Sequence, residues 1–186
     1  KKSEYGALPL LEKRGLRDCQ YKAETKLEES LKLGNKKNLA VLATGSGKTY
    51  LACLASYRLL NYTQTKRILF LADRNNLAKQ ALSEFSLFDR TENMQQMGNL
   101  YTIKRLRKEN DVNADIVIST IQKLFAVLTG QAIQDGNEDE EDELAKKNEE
   151  KESKEVVELC NDLKLPPDYF QLIIVDECHR SIYGKW

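Results

Sequence analysis

The chain has 186 residues, 41% of them hydrophobic and 31% charged, the proportions of an ordinary globular protein with enough length for one proper core. No apolar run is long enough to cross a bilayer and the opening Lys1-Lys2-Ser3-Glu4 lacks the apolar core of a signal peptide, so no membrane partner is expected and the cytoplasm is the expected compartment. The net charge of zero conceals an asymmetry: residues 131–164 hold 13 acidic residues against 5 lysines, about −8, which leaves about +8 on the remainder and suits that remainder to a polyanion.

Apolar runs alternate with segments of helical spacing along the chain, the pattern of an α/β protein with a mostly parallel sheet. Apolar residues at every third or fourth position predict helices over 21–33, 48–60, 75–88 and 121–128. Between them, short apolar or β-branched runs predict strands at 38–42, 67–72, 99–103, 116–119 and 171–175. The run Ile173-Ile174-Val175 has no polar alternation, which predicts burial on both faces under helices. Residues 131–153 (QAIQDGNEDEEDELAKKNEEKES) are highly charged and carry no aromatic residue, so they read as an inserted, solvated segment outside the core. Cys19, Cys53, Cys160 and Cys178 lie far apart without a CxxC pair, the usage of reduced thiols rather than of a zinc or disulfide framework.

Two motifs carry chemistry. After the strand at 38–42 comes Ala43-Thr44-Gly45-Ser46-Gly47-Lys48-Thr49, and a helix follows at once. Small residues and glycines let successive backbone N–H groups curl around a phosphate, and the helix N-terminus beyond adds its positive dipole end. Thr44, Gly45, Ser46 and Gly47 are thus the expected cradle, Lys48 the cation for the β- and γ-phosphates of ATP, and Thr49 a hydroxyl ligand of Mg2+. The glycine that a general P-loop has five residues before Gly47 is replaced by Leu42. The second motif, Asp176-Glu177-Cys178-His179, follows the run Leu172-Ile173-Ile174-Val175. A strand ending in two carboxylates presents them at the carboxyl edge of a parallel sheet, where a phosphate loop also sits, so the two motifs are expected to converge. Asp176 suits the metal and Glu177 the base that orients the attacking water. His179, the one histidine of the chain, is assigned to coupling rather than to chemistry.

GSGKT followed by DECH, with Leu16-Arg17-Asp18-Cys19-Gln20 upstream, resembles the first RecA-like lobe of superfamily 2 helicases of the DEAH-box group. LFLADRNNLAKQA (69–81), ISTIQKL (118–124) and IIVDECHRSIYGKW (173–186) resemble, more narrowly, the motor region of the restriction subunit of type I restriction-modification enzymes. The likeness covers nearly all of the chain from Leu16 on, and the segment HRSIYGKW is more specific than the two Walker elements. Cys178 stands where DEAH has alanine.

The resemblance implies a RecA-like P-loop NTPase lobe with helices on both faces of the sheet, spanning 16–186 and carrying the insertion at 131–153, with 1–15 a linker or the tail of a preceding domain. It implies that Gln20, with Arg17 nearby, reads adenine, and that Arg74, Asn75, Thr120 and Gln122 grip the nucleic-acid backbone. Asn75 and Thr120 are equally suited to ordinary helix capping. The implied activity is ATP hydrolysis that drives translocation of duplex DNA in a type I restriction endonuclease. Its implied partners are a second RecA-like lobe and a nuclease domain of the same full-length protein, and the modification and specificity subunits of the complex. A repair or remodelling helicase shares this front lobe; a P-loop kinase or a regulatory nucleotide-binding module shares only the cradle and is not expected to carry DECH with ISTIQKL.

Overall fold

A computed structural model describes residues 4–129, 165–166 and 168–178. The chain divides into two compact units, one of Lys1–Lys66 with Glu84–Leu100 and one of Arg67–Ser83 with Tyr101–Trp186. The insertion at 131–153 and His179 lie outside the described residues. Among the described residues no helix is long and apolar enough to cross a membrane.

The first unit is built on two fifteen-residue helices, α1 (Asp18–Lys32) and α2 (Lys48–Tyr62). Every residue of α2 from Leu51 to Leu59 is buried, so this helix is central rather than amphipathic. The buried stripe of α1 is instead largely polar: Gln20, Glu24, Glu28 and Leu31 recur at spacings of four, four and three. Arg58 of α2 answers it, donating from Nε and Nη2 to the Glu28 carboxylate and from Nη2 to the Pro9 carbonyl. The stretch ahead of α1 is tied down by this contact, by buried Leu8, and by Arg90, whose guanidinium donates to the carbonyls of Arg14 and Glu12. A glycine at Gly34, with φ +84, ends α1 in the left-handed conformation, and the Asn35 N–H turns back to the Ser30 carbonyl.

The second unit holds a four-stranded parallel sheet. Its strands are β1 (Ile68–Ala72), β2 (Ile103–Arg105), β3 (Ile116–Thr120) and β4 (Leu172–Val175), in the spatial order β2-β3-β1-β4. Central β1 and β3 are buried at every position, as apolar strands covered on both faces must be. One face carries Leu69, Leu71 and Val117 against Leu106, Val112 and Val127, with Ile121 and Leu124 of α5 (Ile121–Thr129) packed on them. The other face carries Ile68, Phe70, Ile116 and Ile118. Among the described residues the remaining α-helices are α3 (Asn75–Leu87), which begins in this unit, and the single turn α4 (Met97–Leu100) of the first unit.

The α/β expectation holds, and most element limits fall within three residues of those predicted. Three expectations change. Residues 38–42 form no strand; Leu39 and Val41 are 73% and 88% exposed, and the segment belongs to the first unit while, among the described residues, every paired strand belongs to the second. Strand propensity without a backbone to pair with leaves N–H and C=O groups to water and makes no ladder. The strand expected at 99–103 starts only at Ile103, because Asn99 and Leu100 complete α4, whose first residue, fully buried Met97, donates its N–H to the Phe88 carbonyl at 2.7 Å. Finally, β4 is not buried on both faces: among the described residues it pairs with β1 alone, Leu172 and Ile174 are half-buried, and Ile173 and Val175 are 53% and 40% exposed, as an edge strand allows.

Candidate nucleotide-binding loop and carboxylate pair

The loop ahead of α2 owes its shape to two glycines. Gly45 and Gly47 have φ of +74 and +84, a region that costs residues with a Cβ about 1–3 kcal/mol. Between them the Ser46 N–H closes a turn onto the Ala43 carbonyl at 3.2 Å, and the Leu51 N–H reaches the Gly47 carbonyl at 3.0 Å to start the helix. Lys48 and Thr49 therefore stand in the first turn of α2, half-buried, where orphan N–H groups and the helix dipole favour an anion. Ser46 Oγ is buried without a hydrogen-bond partner among the described residues. An orphaned hydroxyl beside a glycine-turned helix N-terminus fits a phosphate group, which supplies the missing acceptor.

Arg17 and Gln20, both at the start of α1, hold this loop by its carbonyls. Arg17 donates from Nη1 to the Gly45 carbonyl at 2.6 Å, and Gln20 Nε2 donates to the carbonyls of Ser46 at 3.0 Å and Gly47 at 3.4 Å. The other end of the Gln20 amide accepts the Arg17 N–H at 3.0 Å, which caps α1. A Cβ at position 47 would meet Gln20 Nε2, the movable end of that side chain, so a substitution there would push Gln20 off the loop, while the φ is what calls for glycine. All of these residues belong to the first unit.

Asp176 and Glu177 belong to the second unit, directly after β4. The Asp176 N–H continues the ladder to the Leu71 carbonyl at 2.9 Å, and Asp176 Oδ1 then accepts the Glu177 N–H at 3.0 Å. Glu177 has φ +50, a left-handed conformation uncommon for a residue with a Cβ. Exposed Met94 shares that conformation, so the strain alone does not mark a site; at Glu177 it coincides with an acidic pair at a strand end. Among the described residues no three histidine, cysteine or acidic side chains cluster as a metal cage. Mg2+ needs no such cage, since it commonly takes one or two protein oxygens together with phosphate oxygens, and the Thr49 hydroxyl and the Asp176 carboxylate are hard donors of that kind.

Because all four strands run the same way, their carboxyl ends share one edge of the sheet. Arg74 and Asn75 follow β1 there, Thr120 is the last residue of β3, and Gln122 follows it. Asn75 is buried at the start of α3, and Thr120 Oγ1 accepts the Lys123 N–H at 3.3 Å, a helix cap. Arg74 and Gln122 are exposed, and Arg74 lies 3.3 Å from Asp73. Sequence reasoning passed over the grip of Arg17 and Gln20 on the loop carbonyls and the buried Glu24, Glu28 and Arg58. The spacing of Gln20, Glu24 and Glu28 along one helix stripe was the available signal for the latter.

The parallel sheet and the glycine-turned loop opening a helix define a P-loop protein of the RecA-like helicase fold. The chain belongs to the family described as type III restriction enzyme, res subunit, whose model matches residues 13–186. It is 32% identical over 162 residues to the type I restriction enzyme EcoAI endonuclease subunit of Escherichia coli, covering 87% of this chain and 15% of that protein. To the EcoKI endonuclease subunit of Escherichia coli strain K12 it is 35% identical over 117 residues, 62% of this chain and 10% of that one. A Staphylococcus aureus strain MSSA476 relative, the type I restriction enzyme SauMSSORF170P endonuclease subunit, is 28% identical over 169 residues, 88% of this chain and 14% of that one. The chain thus spans about a seventh or less of the length of most of these relatives. No solved structure matches it.

Proposed function

We infer that this chain is the ATP-binding lobe of a motor that moves duplex DNA within a type I restriction endonuclease. The observation that carries the reading is the loop from Thr44 to Thr49: two left-handed glycines, a buried orphan hydroxyl at Ser46, and a fifteen-residue helix opening at Lys48. Lys48 holds the β- and γ-phosphates of ATP, and Thr49 and Asp176 offer oxygens to Mg2+, which when bound offsets the phosphate charge. Glu177 orients and deprotonates the attacking water. Arg17 and Gln20 serve the nucleotide from the start of α1, and His179 couples hydrolysis to movement.

Arg74, Asn75, Thr120 and Gln122 touch the DNA backbone, the exposed pair directly and the buried pair through the helix starts they shape. The names of the relatives support the DNA and endonuclease parts of this reading. A second RecA-like lobe, a nuclease domain, the modification and specificity subunits and a cytoplasmic location complete it.

Lys48→Ala should abolish ATP and ADP binding, because Lys48 is the cation aimed at the β/γ oxygens and a charge-assisted contact is about twice as strong as a neutral one. Titration calorimetry of both forms with Mg2+ present measures this. Equal affinities would overturn the assignment of the loop.

A further inference from the structure

The basic run Lys104-Arg105-Leu106-Arg107-Lys108 takes no part in the roles above. It begins in β2, whose register pairs Arg105 with Ile118, and the Leu106 N–H still bonds the Ile118 carbonyl at 2.9 Å. Arg107 and Lys108 consequently emerge at the carboxyl edge of the sheet, one strand away from Thr120 and two from Arg74. Both are exposed, and neither has an ion-pair partner among the described residues.

The backbone that presents them is fixed. Asp111 is buried, and its Oδ2 accepts the N–H groups of Arg107 and Lys108 at 3.0 Å each, while its Oδ1 lies 3.8 Å from Lys104 Nζ. Leu106 and Val112 are buried on either side of the turn. A cation on such a turn loses little backbone freedom when it meets a ligand.

The strand order then sorts charge along the edge. At the β1 end the charge of Arg74 is offset by Asp73, at the β4 end stand Asp176 and Glu177, and at the β2 end stand Arg107 and Lys108, whose side chains have no ion-pair partner among the described residues. Adjacent strands are about 4.8 Å apart, so β2 and β1 are separated by about 10 Å, the rise of about three nucleotides of one DNA strand. We propose that Arg107 and Lys108 form, with the ends of β3 and β1, a track for the phosphate backbone of duplex DNA. The proposal rests on the DNA reading above and adds to it the residues that carry most of the electrostatic attraction.

The test is duplex binding by the whole 186-residue chain, followed by fluorescence anisotropy of a labelled 20-base-pair duplex between about 25 and 200 mM KCl. Arg107→Gln with Lys108→Gln should weaken binding and make the slope of log K against log salt shallower by about 1–2, since each phosphate contact contributes about 0.9. Lys22→Gln with Lys26→Gln removes the same charge from the exposed face of α1 and should leave the slope unchanged. Circular dichroism confirms that both variants fold. If the unaltered chain shows no salt-dependent binding, the DNA reading itself falls. If it binds, and Arg74→Gln weakens it while the Arg107 and Lys108 variant leaves the slope intact, the track alone is wrong. Equal slope changes in the two double variants would reduce the effect to net charge and would likewise overturn the track.

Discussion

Glu24 shows how a single side chain can set the conditions under which this chain is stable. Its carboxyl is buried in the stripe of α1, and Oε2 has no hydrogen-bond partner among the described residues. Burial pushes its pKa up to about 8 from an ordinary 4.5, neighbouring Glu28 adds to the rise, and Arg58 opposes it. The folded chain therefore holds this proton more tightly than the unfolded chain. Its stabilisation is complete below about 4.5 and is lost as pH climbs through about 8. Urea unfolding should show a midpoint that falls between pH 5 and pH 8.5, by an effect on the order of a few kcal/mol. Glu24→Gln, neutral throughout and nearly the same shape, should flatten that dependence and be the more stable form at pH 8. A midpoint in the unaltered chain that does not move over this range would show that Glu24 is hydrated or paired and not buried as an acid. Arg58 is the reason the rise is not larger, and the same guanidinium also anchors Pro9. The start of the same helix places Arg17 and Gln20 on the carbonyls of Gly45 and Ser46, so this buried acid shares an element with two residues proposed to serve the nucleotide.

Elements were legible in the sequence where local pattern and non-local pairing agree. The strands predicted at 67–72, 116–119 and 171–175 rest on apolar runs that the sheet covers, and the structure forms them within one residue. The helix after the loop was readable because the glycines and Lys48 announce a start in their own backbone terms. What failed was non-local. Leu39, Ala40, Val41 and Leu42 have the composition of a strand, but a strand exists only against a partner, and no local pattern names the partner. The contacts of Arg17 and Gln20 with the loop were hidden for the same reason, since they join positions 26 to 28 residues apart. Two substitutions measure the difference. Leu39→Ser with Val41→Thr should change stability by less than about 0.5 kcal/mol per site, as expected of exposed positions without partners. Phe70→Ala, in the middle of β1, should cost about 3–5 kcal/mol. A loss of several kcal/mol from the first pair would mean that residues 38–42 are paired as a strand after all.

At the scale of the whole molecule, the proposed function makes these 186 residues one part of a phosphoryl-transfer machine. On the reading proposed above, Lys48 and Thr49 at the start of α2 serve phosphate and metal, and Asp176 and Glu177 after β4 serve as metal ligand and base. In NTPases of this type a further arginine stabilises the charge that develops on the transferred phosphoryl group, and the resemblance assigns it to a second lobe. Such an arginine is worth about 10³–10⁵ in rate, more than the remaining residues can replace. The chain assayed by itself should therefore bind nucleotide but hydrolyse it slowly. Duplex DNA should stimulate it little even if it binds along the β2 end of the sheet, because stimulation in two-lobed motors comes from closing the lobes on the nucleotide. Steady-state ATPase assays with and without duplex, beside a longer protein that includes the second lobe, distinguish the cases. Slow, DNA-insensitive turnover in the short chain, with a large DNA-dependent rise in the long one, is the expected result. Brisk hydrolysis by the short chain that rises with DNA and disappears in Glu177→Gln would show that this lobe carries its whole catalytic apparatus. The charge on the transferred group would then have to be met from within the 186 residues, and the exposed cations after β2 would be the first to replace.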